Sequence, residues 1–263
     1  MTIGILGGGQ LARMLALAGY RLGLRFRVLD SAADACAGQV APLMVGRCDD
    51  ERTLSDFAQG LTAVTYEFEN VPVATARWLA QRVPALPPPE ALERSQDRLV
   101  EKRLLAECGM DTPAFEPVDS LDQLRAALGR VGLPAVLKTR RFGYDGKGQA
   151  LLRTAGDADA AWAALGASPL IVEAFVPFER EVSLLAVRGR GGETAFYPLV
   201  ENEHSGGILR CSRVPARHVP QQLEAQAQAR ARELLDRLGY VGVLAIEFFV
   251  HGGRLLASEI APR

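Results

Sequence analysis

Val136-Leu-Lys-Thr-Arg-Arg-Phe-Gly-Tyr-Asp-Gly-Lys-Gly-Gln149 lies near the middle of a 263-residue chain, and the reading of the fold starts from it. A short apolar run of strand character delivers Lys138, and a loop rich in glycine then carries Lys147. Glycines let backbone N–H groups approach phosphate oxygens closely, and each lysine adds a movable positive charge. The spacing is not that of a Walker A loop, which opens a helix with Gly-Lys-Ser/Thr. Here Gln149-Ala-Leu-Leu reads as a second strand, so the loop is expected to fold over a polyphosphate as a mobile lid. An ordinary basic hairpin loop is the alternative, because turns are where glycine is expected in any case.

Working outward, the totals bound the class. The length suits two domains with part of a third. Thirty basic and thirty-one acidic residues leave a net charge of -1, which gives no reason to expect nucleic acid or an anionic membrane as partner. Cys36, Cys48, Cys108 and Cys211 are far apart and have no histidines at metal spacing, so a reduced cytoplasmic protein is expected. Apolar runs fall short of the roughly 20 residues of a membrane span, and Met1-Thr-Ile-Gly4 lacks the basic start of a signal peptide.

Thr2 to Leu6 reads as a strand and Gly7-Gly-Gly-Gln10 as a turn. Leu11, Met14, Leu15, Ala18 and Leu22 then recur at helical spacing. Arg25 to Asp30 supplies the next strand and closes a βαβ unit. Gly7, Gly9 and Ala12 fit G-x-G-x-x-G/A, and Asp30 stands where a ribose-binding acid would be in a dinucleotide site. Three readings stay open for this turn: a generic phosphate or substrate site, an NAD site, or fold geometry alone. Leu61 to Tyr66 is a further strand, and Glu67, Glu69 and Asn70 follow its carboxyl end, where open parallel sheets bind ligands. Pro84 to Glu90 is expected to be an extended linker.

A helix is predicted from Glu90 to Cys108, with Arg98 and Lys102 one turn apart on one face, either solvated or turned to a site. The remainder alternates helices and antiparallel strands in an α+β pattern. It ends in two strands, Tyr240 to Val250 and Arg254 to Ile260. A three-residue loop, His251 to Gly253, would put Glu247 opposite Ala257 and Glu259 on the same face as Glu247; a two-residue loop would put them on opposite faces. Two carboxylates in apolar strands call for a cation, and Mg²⁺ held by carboxylates together with substrate phosphates fits them.

Lys138, Gly143-Tyr-Asp-Gly-Lys-Gly-Gln149, Glu173-Ala-Phe-Val176, Glu181 and the Glu247/Glu259 pair together resemble the ATP-grasp ligases. Within them, Gly7-Gly-Gly-Gln-Leu-Ala-Arg-Met14, Tyr66-Glu-Phe-Glu-Asn-Val-Pro72 and Ser258-Glu-Ile-Ala-Pro-Arg263 are similar to the N5-carboxyaminoimidazole ribonucleotide synthetases of purine biosynthesis. The resemblance implies an α/β, Rossmann-like pre-ATP-grasp domain over residues 1–88. Two α+β ATP-grasp subdomains would follow, 89–178 with the lid and 179–263 with the metal glutamates. It implies that ATP activates bicarbonate as carboxyphosphate, which carboxylates aminoimidazole ribonucleotide.

The same resemblance distributes the roles. Arg98 and Lys138 would contact ATP phosphates, and Gly143, Tyr144, Asp145, Gly146, Lys147, Gly148 and Gln149 would close over them. Glu173, Ala174, Phe175 and Val176 would hold adenine, Glu181 the ribose, and His204 would lie beside the nucleotide. Ser258 and Glu259 would face the nucleotide, and Glu247 and Glu259 would bind Mg²⁺. Gly9, Gln10, Leu11, Glu67, Glu69 and Asn70, with Tyr144 and Asp145, would face the ribonucleotide. Arg263 would hold bicarbonate or carboxyphosphate, with Lys147 as its catalytic companion. A cytoplasmic homodimer is implied.

Two departures from the pattern stand out. Ser258 occupies the place of the usual Asn, and family members run on for roughly another hundred residues, the size of a small domain. A chain shortened at its C-terminal side is therefore expected. Another ATP-grasp carboxylase or ligase, a non-catalytic ATP-binding module and an NAD-dependent oxidoreductase are the alternatives.

Overall fold

The computed structural model describes residues 1–143 and 147–263; the lid positions Tyr144, Asp145 and Gly146 lie outside the described residues. The N-terminal unit comprises β1 (Thr2–Leu6), α1 (Gln10–Tyr20), β2 (Arg25–Asp30), β3 (Leu43–Val45), α2 (Glu51–Ala58), β4 (Ala63–Tyr66) and α3 (Val73–Ala80). Its strands run in the order β3-β2-β1-β4 with every pair parallel. Leu6, Leu29, Phe57, Val64 and Leu79 fill one side of this sheet, and Ile5, Ala12, Ala16, Phe26 and Val28 the other. That is the expected α/β, Rossmann-like arrangement.

The first helix faces the opposite way from the simplest reading of its pattern. Ala12, Ala16 and Gly19 are buried on the sheet, whereas Leu11, Met14, Leu15 and Leu22 are exposed. The physical reason is clearance. A Cβ on Gly19 would lie 2.2 Å from the Phe26 ring, so the helix sits too close for large side chains on its inner face. Helical periodicity locates a stripe, and here the stripe that packs is the one of small residues.

Pro84 to Leu86 is not a free linker. The Val64 N–H donates to the Pro84 carbonyl and the Leu86 N–H to the Val64 carbonyl, so the segment pairs with β4 before α4 (Pro89–Ser95) begins with proline in its first turn. The long helix expected after it is broken in two. Asp97 accepts from the N–H groups of Leu99 and Val100 and starts α5 (Arg98–Glu107) afresh. A bidentate ion pair with Arg140 fixes the same carboxylate.

The central unit holds β5 (Phe115–Val118), α6 (Leu121–Val131), β6 (Ala135–Thr139), β7 (Gln149–Leu152), α7 (Ala158–Leu165) and β8 (Leu170–Ala174), in the antiparallel order β5-β8-β6-β7. The strands on either side of the glycine-rich loop pair with each other, Lys138 opposite Gln149. The C-terminal unit holds β9 (Arg180–Arg188), β10 (Thr194–Phe196), β11 (Val200–Ser205), β12 (Ile208–Arg213), α8 (Gln221–Arg237), β13 (Gly242–His251) and β14 (Arg254–Pro262). These strands run β12-β11-β9-β13-β14, with β10 also on β9. Residues 201–204 are part of β11. Leu104 and Leu105 of α5 share the core beneath this sheet with Leu234 and Leu235 of α8, so α5 packs on the third sheet.

The close helix–sheet approach has a measurable consequence. Gly19→Ala should destabilise the protein by about 1–3 kcal/mol through overpacking, reversing the ~1 kcal/mol that Ala ordinarily gains over Gly in a helix. Leu15→Ala on the exposed side should stay within about 0.5 kcal/mol. Urea unfolding of the two variants checks both values.

Candidate active site

The three sheets enclose a cavity of about 510 Å³, a size suited to a nucleotide-scale ligand. Glu69 and Asn70 reach it from the loop after β4, Arg98 from α5 and Lys138 from β6. Gly143, Lys147 and Gln149 line it from the ends of the glycine-rich loop. Ala174, Phe175 and Val176 wall one end, where Glu181 and His204 also stand, their side chains 2.6 Å apart. Glu247, Ser258, Glu259 and Arg263 line it from the final hairpin.

How that hairpin aligns its two glutamates differs from expectation. His251 pairs with Arg254, so the loop is the two-residue Gly252-Gly253 with φ of +57° and +72°, values suited to glycine in a tight turn. In an unbroken register this would put Glu247 and Glu259 on opposite faces. The register shifts once: Phe248 pairs with Ala257 and Glu247 pairs with Glu259, leaving Ser258 as a bulge. One extra residue restores the common face. Along β13 the burial alternates, with Ile246 and Phe248 in the core and Glu247 and Phe249 toward the cavity.

The bulge therefore brings two carboxylates opposite each other. Burial, and then the charge of Glu259, pushes the Glu247 carboxyl up to about 7. Burial also opposes the ionisation of Glu259, but Arg98 and the nearby lysines hold it below the usual carboxylate range. Arg98 donates to Glu259 at 2.9 Å and to the Gly143 carbonyl at 3.2 Å. Glu259 keeps 41 % of its side chain accessible because that surface opens into the cavity. Among the described residues no group of three or more His, Cys, Asp or Glu side chains gathers as a self-sufficient metal cage. An opposed carboxylate pair fits a hard cation whose remaining ligands are substrate oxygens and water.

Beneath this pair lies a buried charge network. Glu173 accepts from Lys138 at 3.0 Å and faces Lys102 at 3.4 Å. Its side chain thus points into the network, while the chain after it forms the cavity wall. Burial disfavours its charge, yet the two lysines overcome this and hold it at about 2. Of the two readings for Arg98 and Lys102, the solvated face is excluded: both point inward and Lys102 is fully buried. Sequence reasoning missed Glu101. Its Oε1 accepts from the Ile260 N–H at 2.6 Å, and its Oε2 is buried with no partner among the described residues. Burial, then the charge of Glu259, pushes this carboxyl up to about 8. Its position three residues after Arg98, on the same helix face, is the signal that could have found it. Gln96 was also missed: it donates to the carbonyls of Glu69 and Val71 and accepts from Arg141, tying the loop after β4 to the base of the glycine-rich loop.

Gly9, Gln10, Leu11 and Glu67 do not line the cavity. Leu11 is on the exposed side of α1. Glu67 accepts from the N–H groups of Gly9 (2.5 Å) and Ala12 (2.9 Å), and Asp30 accepts from those of Gly8 and Ala32. The N-terminus of α1, where a dinucleotide pyrophosphate would sit, already holds a carboxylate of the protein itself. The NAD reading and the phosphate reading of this turn are both disfavoured on that ground. Gly148, with φ of +69°, faces Thr139 and is not part of the cavity wall.

A parallel α/β unit, an antiparallel unit with a glycine-rich hairpin and a sheet bearing opposed glutamates define the class of ATP-grasp ligases. Residues 103–263 match the ATP-grasp domain model, and residues 1–96 match the ribonucleotide synthetase preATP-grasp domain model. The N5-carboxyaminoimidazole ribonucleotide synthase of Pseudomonas aeruginosa is 50 % identical over the whole chain, which covers 72 % of that protein. The crystal structure of the N5-carboxyaminoimidazole ribonucleotide synthetase from Thermus thermophilus superposes with a TM-score of 0.95 at 59 % identity, covering 99 % of this chain and 71 % of that one. The Aspergillus clavatus N5-carboxyaminoimidazole synthase in complex with ADP and 5-aminoimidazole ribonucleotide gives 0.90 at 26 % identity, covering 100 % of this chain and 69 % of that one. The chain belongs to the N5-carboxyaminoimidazole ribonucleotide synthase family, ATP-dependent carbon–nitrogen ligases of purine biosynthesis.

The raised Glu101 carboxyl makes a pH prediction with a definite sign. Its folded form binds a proton more tightly than the unfolded chain, whose value is near 4.5, so the contribution of Glu101 to stability is full below pH 4.5 and is lost as pH rises toward 8. Glu101→Gln keeps the acceptor for the Ile260 N–H and cannot ionise. Its stability should decline less over that window in metal-free denaturant titrations.

Proposed function

We propose that the chain carboxylates the exocyclic amine of 5-aminoimidazole ribonucleotide with bicarbonate, using ATP and Mg²⁺. The observation that carries the metal and phosphate chemistry is the Glu247–Glu259 pair facing Lys138 and Arg98 across one cavity. A bicarbonate oxygen attacks the γ-phosphorus of ATP, the bond to the departing ADP breaks, and carboxyphosphate forms. The amine nitrogen then attacks the carboxyl carbon, the C–O bond to phosphate breaks, and the nitrogen loses a proton.

In this reading Lys138, Lys147 and Arg98 would neutralise the phosphates. Glu247 and Glu259 hold Mg²⁺, which when bound offsets charge on the transferring phosphoryl group. Val176 and its neighbours form the adenine wall, and Glu181 with His204 meets the nucleoside. Glu69 and Asn70 face the acceptor, and Glu67 braces that loop against the Gly9 and Ala12 N–H groups. Arg263, whose guanidinium donates to Glu69 at 2.8 Å, stands between the two substrates and receives bicarbonate or carboxyphosphate. Tyr144, Asp145 and Gly146 complete the lid. The division at residues 88/89 and 178/179, a homodimer and a cytoplasmic setting belong to the same proposal. The exposed apolar face of α1 supports the dimer, and four cysteines without a disulfide suit the cytoplasmic setting. Among the described residues no helix is long and apolar enough to cross a membrane.

ADP release measured with bicarbonate and aminoimidazole ribonucleotide, added separately and together, tests the reaction. Release should depend on the ribonucleotide, and independence from it would remove the acceptor assignment. Glu247→Gln should raise the Mg²⁺ concentration needed for half-maximal turnover by about ten-fold or more, since even outer partners of metal ligands are worth that much. An unchanged Mg²⁺ requirement would remove Glu247 from the metal site.

A further inference from the structure

Lys102 has no place in the reaction so far. It lies on α5 one turn after Arg98, yet unlike Arg98 and Lys138 it does not line the cavity. Its side chain is 1 % exposed, and among the described residues its ammonium meets Glu173 Oε2 and the Ala257 carbonyl, each at 3.4 Å. An unpaired lysine in such a place would be costly, and replacing a buried ion pair by apolar groups is often neutral or stabilising. Stability alone is a weak reason for keeping a charge there.

A charge count across the network supplies another reason. Glu173 is shared: the same Oε2 that meets Lys102 also accepts from Lys138 at 3.0 Å. Lys138 is the member that reaches the cavity, with 16 % of its side chain exposed, and Glu173 is 2 % exposed. If Glu173 and Lys138 were alone they would neutralise each other, and the cavity wall would carry no net positive charge at β6. Burial lowers the affinity of Lys102 for its proton and the charge of Glu173 opposes that; with Lys102 protonated behind Glu173, the three groups sum to one positive charge, carried on the side where Lys138 opens to the ligand.

We propose that Lys102 is a positioning residue: as the buried counter-ion of Glu173 it leaves the charge of Lys138 available to the nucleotide phosphates without itself touching them. This deepens the nucleotide reading of the cavity and rests on it. The same arrangement explains why Glu173 points into the protein at the start of a segment assigned to adenine. Its carboxylate sets the position of Lys138, and the backbone beyond it makes the wall.

Titration calorimetry with Mg-ADP separates this from a purely structural role. Lys102→Met leaves Glu173 with Lys138 as its sole lysine partner, so affinity should fall about ten-fold, the scale of one moderately coupled pair. In the double variant Lys102→Met/Glu173→Gln the competing carboxylate is gone while an oxygen acceptor remains. Affinity should return to within about three-fold of the parent, a recovery that non-additive coupling requires and independent losses forbid. Parent-like affinity in the single variant, or a double variant no tighter than the single, would overturn the proposal. If Lys102→Met does not fold, the double variant decides alone: near-parental affinity supports the counter-ion role, and weak binding removes it. A parent protein that binds no Mg-ADP would remove the nucleotide reading itself, which is a different outcome from both.

Discussion

Charge balance among buried and half-buried groups at the floor of one cavity is the constraint on which this molecule depends. Glu101, Glu173, Glu247 and Glu259 converge on one cavity, met by Arg98, Lys102 and Lys138. An isolated ionised group in such a place is prohibitive, so each carboxylate must find a cation, a proton or a backbone N–H. Glu173 and Glu259 find cations and are held below their usual range; Glu101 and Glu247 lack them and are pushed upward. The network as it stands has acidic capacity left over, and that surplus is what a divalent cation would satisfy.

Meeting this constraint requires elements far apart in sequence to hold side chains to within a few tenths of an ångström. Arg98 and Glu259 are 161 residues apart, and Arg263 and Glu69 are separated by 194. The cores do that work. Leu104 and Leu105 bind α5 to the last sheet and so point Arg98, Glu101 and Lys102 beneath the final hairpin. Gln96 and the Asp97–Arg140 pair fix the segment just before it. The ligand-facing loops are thereby mounted on rigid supports.

Much of this was legible in the residues. The order of strands and helices, the glycine-rich hairpin and the two hairpin glutamates all follow from local patterns, because period-two and period-3.6 burial leave their mark directly in the chain. Of the features that were not legible, three show separate physical reasons. The packed side of α1 is its small side, and a stripe of large apolar residues at helical spacing does not say which side approaches a sheet too closely to admit them. The glutamate alignment depends on a loop one residue shorter than expected and a bulge at Ser258, two departures that cancel, and neither has a period to read. The inward turn of Glu101 and Lys102 is set by tertiary packing, since a charged helix turn reads the same whether solvated or buried.

The two glycine-rich turns show why composition alone could not assign the anion site. Gly7 to Gly9 carries the stronger fingerprint, with a helix N-terminus directly behind it, yet Asp30 and Glu67 occupy its N–H groups. A Cβ on Gly9 would stand 2.6 Å from a Glu67 oxygen, so glycine there serves the approach of the protein's own carboxylate. An incoming phosphate would have to displace that carboxylate against like-charge repulsion. At the second turn the balance reverses: its flanking strands present Lys138, and Lys147 and Arg98 line the same cavity. Anion capacity is therefore largely closed at the first turn by the protein's own carboxylates and left for the second.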